Sequence, residues 1–173
     1  MNYQDVINLG SRTLKNNKIK SHNLDSELLL AETLNSTREE ILINLKTQIN
    51  QKKLLYFKKL INRRKLNEPI AHILKRKEFW KYNFFVNNHV LIPRPETEII
   101  VEESLNNIKF NQSKKLLEIG TGSGCIIISI LNERPNCCAS AIDISKNALK
   151  VAKYNAKLHH LTNKINFVNM DID

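Results

Sequence analysis

The chain has 173 residues, 42% of them hydrophobic and 25% charged, enough for one large or two small globular domains. No apolar run is long enough to span a bilayer, and the opening MNYQDVINLG carries no signal-peptide core, so the sequence predicts no membrane segment and a cytoplasmic location. The formal charge of +10 favours a nucleic-acid or ribosome-associated partner, but the lysines are spread along the chain and form no basic stripe with interleaved aromatics, so direct nucleic-acid binding is not expected.

The first part reads as helical. Asp5 to Asn16 repeats apolar side chains at Val6, Leu9 and Leu14, and a second helix starts near Ser21–Asn23 and runs through Leu24, Leu28, Leu29 and Leu34. Ser36 with Glu39 predicts a capping box ahead of Ile41, Leu42 and Leu45. Gln51 to Leu66 is the longest helical stretch, with Leu54, Leu55, Leu60 and Ile61 on its apolar face. Pro69 opens a short turn of helix over Ile70–Leu74. Residues 1–74 are therefore predicted to be a helical bundle. Residues 78–93 hold two β-rich runs around Asn87-Asn88, which predicts a β-hairpin within a linker over 75–94. Pro93 and Pro95 stop its second strand, and Thr97 to Leu105 becomes a helix. Residues 95–173 then read as a domain with strand 115–119, helix 123–133, strand 138–143, helix 145–158 and strand 165–170. This β-α-β-α-β order predicts half of a doubly wound parallel sheet.

Chemistry concentrates at KKLLEIGTGSGCI, residues 114–126. A buried strand there ends in Gly120, Gly122 and Gly124 at alternate positions and runs straight into a helix. Glycines let a backbone approach a ligand closely, and the free N–H groups of a helix start face the same place. A dinucleotide fingerprint would need glycine where Cys125 stands, and a phosphate-binding P-loop would need a Lys–Ser/Thr pair after the last glycine. Neither fits. The second strand, CASAI, ends on Asp143, 19 residues after Gly124, where a carboxylate can accept from two ribose hydroxyls. Cys125, Cys137 and Cys138 follow no metal-ligand spacing, so no metal is expected, and their odd count suits a reducing compartment.

The form acid-x-Gly-x-Gly-x-Gly resembles motif I of S-adenosylmethionine-dependent methyltransferases. A longer series, NEPIAHILKRKEFW at 67–80, FFVNNHVLIPRPETE at 84–98 and LLEIGTGSGC at 116–125, resembles the peptide chain release factor glutamine methyltransferases, the HemK family. The resemblance implies an α/β architecture: an N-terminal helical bundle for substrate recognition, a hairpin linker, and the first half of a Rossmann-like methyltransferase domain. It implies S-adenosyl-L-methionine as cofactor, held by Glu118, Gly120, Thr121, Gly122, Ser123, Gly124, Asp143, Asp171 and Ile172. Glu118 would face the methionine amino group, Asp143 the ribose, and Asp171-Ile172 the adenine. Arg94 and Glu96 to Glu98 resemble the element that borders the active site. The implied reaction is N5-methylation of the glutamine in the Gly-Gly-Gln loop of class I release factors, which would be the protein partners.

Family members hold that glutamine amide with an Asn-Pro-Pro-Tyr motif after a fourth strand. None of the four prolines here belongs to an Asn-Pro-Pro triplet, and the sequence stops at Asp173, after the third strand. No catalytic residue is assigned, and the expectation is a chain truncated before that motif and inactive alone, with strand 115–119 left as an apolar edge. The alternatives are a ribosomal-protein glutamine methyltransferase, an adenine-directed nucleic-acid methyltransferase, and a non-enzymatic remnant.

Overall fold

A computed structural model describes residues 1–172, so Asp173, the last residue of the predicted third region, lies outside it. The chain divides into two units, the first running from Met1 to Leu74 and the second beginning at Lys75.

The first unit is built from α1 (Tyr3–Asn16), α2 (His22–Leu34), α3 (Arg38–Ile43), α4 (Gln51–Lys65) and α5 (Ile70–Leu74). Side-chain caps set the helix starts. Asn2 and Asp5 form a capping box at α1, and the Asn50 side chain accepts from Lys53 N at α4. At α3 the box lies one residue later than the sequence predicts, on Thr37 and Glu40 rather than Ser36 and Glu39. Asn35 takes the left-handed conformation that closes α2, and the Ser36 N–H returns to Ala31 O, so the chain first becomes extended at Thr37. Val6, Leu14, Leu29, Leu30, Ile41, Phe57 and Leu60 form the core. On α4 the buried stripe is Leu54, Phe57, Leu60 and Ile61, whereas Leu55, placed on the apolar face by the sequence reading, is 58% exposed. Gly10 lets the helices close in. A Cβ there would collide with Ser26 Oγ and come within 2.7 Å of Phe57 Cζ. Buried Asp25 is met by Arg64 Nε at 2.7 Å and by the Ser21 hydroxyl at 2.8 Å. The chain start is tied down too: Ile49 N donates to Met1 O and Tyr3 N to Thr47 O, each at 3.0 Å.

In the second unit, β1 (Lys77–Phe79) and β2 (Tyr82–Phe84) form an antiparallel hairpin. Its turn is at Trp80-Lys81, which corrects the predicted turn at Asn87-Asn88. Trp80 adopts φ +58°, and its N–H donates to the Glu98 carboxylate at 2.8 Å. Phe79 and Phe84 are buried on either side of this turn and meet edge to face, with centroids 6.2 Å apart. Asn87 does make a local turn, accepting from Val90 N and His89 N, but its flanks bury Val86 and Val90 without pairing as strands. Pro93 therefore ends no strand, and Pro95 opens a 3-10 turn (Pro95–Thr97) that leads into α6 (Glu98–Asn107).

The rest follows the alternating order that the periodicity predicts. β3 (Lys115–Ile119), α7 (Cys125–Glu133), β4 (Cys138–Asp143), α8 (Lys146–Leu158) and β5 (Ile165–Asn169) give a parallel sheet in the order β3-β4-β5. Phe79, Phe84, Val101, Ile128, Leu131, Ala141 and Ile165 belong to one core. The alternation along β3 turns Leu117 and Ile119 outward, 62% and 54% exposed, and β3 is an outer strand of the sheet. Among the described residues no helix is long and apolar enough to cross a membrane.

Candidate functional site

Parallel strands bring the carboxyl ends of β3, β4 and β5 to one end of the sheet, where α/β folds bind ligands. The glycine turn lies there, between β3 and α7. Its backbone is anchored on β4: the Gly120 and Thr121 N–H groups both donate to Ile142 O, at 2.9 and 3.0 Å. Gly124 N donates to Thr121 O at 2.8 Å, closing the turn.

Two of its glycines do different work. Gly120 has φ +72°, and a Cβ there would meet nothing within 4 Å, so its face of the turn is open. Gly124 has φ +78° and caps α7, and its Cβ would stand 3.0 Å from Ile128 Cδ1 and 3.4 Å from Ala152 Cβ. The first leaves room for a ligand, and the second allows α7 and α8 to pack against the turn. Gly124 has no side chain with which to cap α7, and the Ile127 N–H of the first turn is met by the Glu118 carboxyl.

Two carboxylates hold the turn from opposite ends. Glu118, on β3, accepts from the Thr121 hydroxyl. Asp143, at the end of β4, accepts from Gly122 N through one oxygen and from Ser145 N through the other, both at 2.8 Å. Burial raises the Glu118 carboxyl from its ordinary 4.5 to about 7; the Thr121 hydroxyl and the Ile127 N–H act the other way, and the Asp143 charge adds to the rise. Burial also pushes the Cys125 thiol up to about 11, which makes it an inert core group.

The structure thus brings together Glu118, Gly120, Thr121, Gly122, Ser123, Gly124 and Asp143. Asp171 and Ile172 follow β5 at the same end of the sheet, and both are exposed. Glu98 serves the hairpin turn through Trp80 N, while Arg94 and Glu96 are exposed. Sequence reasoning misses two residues. Asn169, the last residue of β5, donates from its amide to the carbonyls of Asp143 (2.9 Å) and Ile144 (2.8 Å), fixing the chain at the end of β4. Asn155, on α8, donates to Ser123 O at 2.8 Å. The signal for Asn155 is a polar residue interrupting an apolar helical stripe; Asn169 leaves no such mark.

Residues 5–74 match the family description "PrmC N-terminal domain", and residues 97–173 match "Methyltransferase small domain". It is 41% identical over 144 residues to the release factor glutamine methyltransferase of Coxiella burnetii, covering 83% of this chain and 52% of that protein. It is 42% identical over 146 residues to the enzyme of the same description from Buchnera aphidicola subsp. Acyrthosiphon pisum, covering 84% and 50%. Against the bifunctional methyltransferase of Rickettsia felis it is 36% identical over 192 residues, covering 95% of this chain and 36% of that one. The chain thus spans about half the length of the first two relatives and about a third of the Rickettsia felis protein.

Proposed function

We propose that this chain supplies the donor-binding and substrate-recognition parts of a methyltransferase that uses S-adenosyl-L-methionine to methylate the Gly-Gly-Gln glutamine of class I release factors at N5. One observation carries the reading: an open glycine face lies between a carboxylate at the end of β3 and another at the end of β4. That geometry fits the cofactor. Glu118 is the acceptor for the methionine ammonium, whose positive charge would offset the burial that now keeps this carboxyl up near 7. Gly120, Thr121, Gly122, Ser123 and Gly124 line the methionine and ribose side. Asp143 takes the ribose hydroxyls with the lone pairs left after binding Gly122 N and Ser145 N. Asp171 and Ile172 lie at the adenine end, where Ile172 offers apolar packing.

When bound, the cofactor supplies an electrophilic methyl group on a sulfonium. The chain's residues orient that group, because an amide nitrogen is a weak nucleophile and must be held in line with it. In this reading residues 1–74 recognise the protein substrate, 75–94 connect, and 95–173 hold the donor. The two relatives described as release factor glutamine methyltransferases support the acceptor assignment.

Calorimetric titration of the 173-residue chain with S-adenosylhomocysteine tests the donor site. A dinucleotide binding in its place would sink that reading. For the acceptor, binding of the chain to a class I release factor is compared with its binding to DNA and RNA by calorimetry. Binding to the release factor supports the assignment, whereas binding to DNA or RNA in its place overturns it.

A further inference from the structure

The buried stripe of α8 consists of Ala148, Leu149, Val151, Ala152 and Ala156, interrupted by Asn155, itself 0% exposed. An amide buried among apolar groups costs free energy unless its polar atoms find partners. All of these do. Oδ1 accepts from Phe85 N at 2.7 Å, and Nδ2 donates to Phe85 O at 2.9 Å and to Ser123 O at 2.8 Å. Only this orientation of the amide sets the oxygen against the N–H and the nitrogen against two carbonyls. The first two bonds treat Phe85 as a neighbouring strand would. The third grips the glycine turn between Gly122 and Gly124. One side chain therefore joins a segment 70 residues away to another 32 residues away.

The surroundings reinforce that grip. The Phe85 ring packs against Tyr154 with centroids 4.9 Å apart, and one turn later His159 Nε2 meets Asn83 O at 3.0 Å. On the turn side, Gly124 lies against Ala152. Phe85 begins the stretch that leads through Pro93 and Pro95 into α6, so the amide stands at the crossing of the glycine turn and that stretch.

We infer that Asn155 is a positioning residue: its amide holds the glycine turn and the segment after the hairpin in one register, and cofactor affinity depends on it without its touching the cofactor. The affinity part rests on the methyl-donor reading proposed above. Asn155→Ala and Asn155→Asp are made in the full 173-residue chain and titrated with S-adenosylhomocysteine well below their melting temperatures. Loss of the Ser123 bond is expected to raise Kd roughly tenfold, a hydrogen bond's worth in a buried setting. Amide exchange by NMR supplies the signature that general loosening would not give. In Asn155→Ala, Phe85 and Gly124 exchange faster, while Ile130, in the middle of α7, does not; Asn155→Asp keeps an acceptor for Phe85 N and speeds Gly124 alone. Variants that melt earlier yet bind within about twofold of the parent overturn the inference, as does equal acceleration at Ile130. If the parent chain itself fails to bind S-adenosylhomocysteine, the methyl-donor reading falls. The exchange data then decide the positioning role alone: faster Gly124 and Phe85 with Ile130 unchanged sustains it, and unchanged Gly124 refutes it.

Discussion

Glu118→Gln is expected to make the second unit less sensitive to pH. In the folded chain this carboxyl keeps its proton up to about 7, against an ordinary 4.5, because burial penalises the charged form more than the Thr121 and Ile127 contacts help it. The unfolded chain gives up the same proton near 4.5. Between these values the folded state binds more protons than the unfolded one, so stability falls as pH rises from 4.5 through 7 and levels off above. At ~1.4 kcal/mol per tenfold, the loss is about 3 kcal/mol, on the order of 10 °C in melting temperature for a unit of this size. Glutamine keeps the shape and can still accept from Thr121, but it does not ionise. Trp80 is the chain's single tryptophan and lies in the second unit, so its fluorescence follows that unit in urea or thermal melts. Parent and variant curves are compared from pH 4.5 to 8. Parallel curves would show that Glu118 ionises in the fold as it does in water, and would refute the reasoning. Under the proposed function the same shift has a second readout: S-adenosylhomocysteine binding below pH 7 should release a proton, seen as a dependence of binding heat on the buffer's ionisation enthalpy.

The glycines should separate into two kinds. Gly120→Ala adds a methyl into open space, so S-adenosylhomocysteine affinity should drop while the left-handed φ costs only about 1 kcal/mol of stability. Gly124→Ala adds a tight contact with Ile128 and should destabilise the second unit further, by about 1–3 kcal/mol, seen as a lower melting temperature. Asp143→Ala leaves Gly122 N and Ser145 N without their acceptor. It should weaken S-adenosylhomocysteine binding without unfolding the first unit; unchanged affinity would refute the ribose role. Gly10→Ala drives a methyl into Ser26 and Phe57 and should destabilise the first unit by about 1–3 kcal/mol, measured by urea unfolding monitored by circular dichroism; an unchanged midpoint would show that the crossing tolerates a wider gap.

The meeting of the glycine turn with Asp143 was legible in the sequence because its logic is local. Gly120 to Gly124 and Asp143 lie on strands and turns whose spacing alone fixes where they meet. The parallel α/β order was legible for the same reason. The hairpin was not. Residues 84–92 have strong strand composition, yet the pairing goes to 77–84, because the Phe79 and Phe84 burial and the Glu98 carboxylate that accepts from Trp80 N are tertiary facts. The α3 cap slipped by one because Ser36-Thr37 and Glu39-Glu40 offer two equivalent registers, and only the left-handed Asn35 decides between them. Leu55 was misassigned because Phe57 completes the α4 stripe from the other side. Asn155 was visible as a polar residue out of place, but its partners 32 and 70 residues away were not.

The bonds from Ile49 N to Met1 O and from Tyr3 N to Thr47 O bear on the order in which a nascent chain organises itself. They close the start of the chain on residues 47–49, and the last core side chains of that unit come from α4 and α5. Every piece of the bundle is therefore translated before β3. The parallel sheet must wait for two crossovers and the slower, non-local contacts they require. During synthesis the helical bundle is able to stand finished while the glycine turn is still unmade.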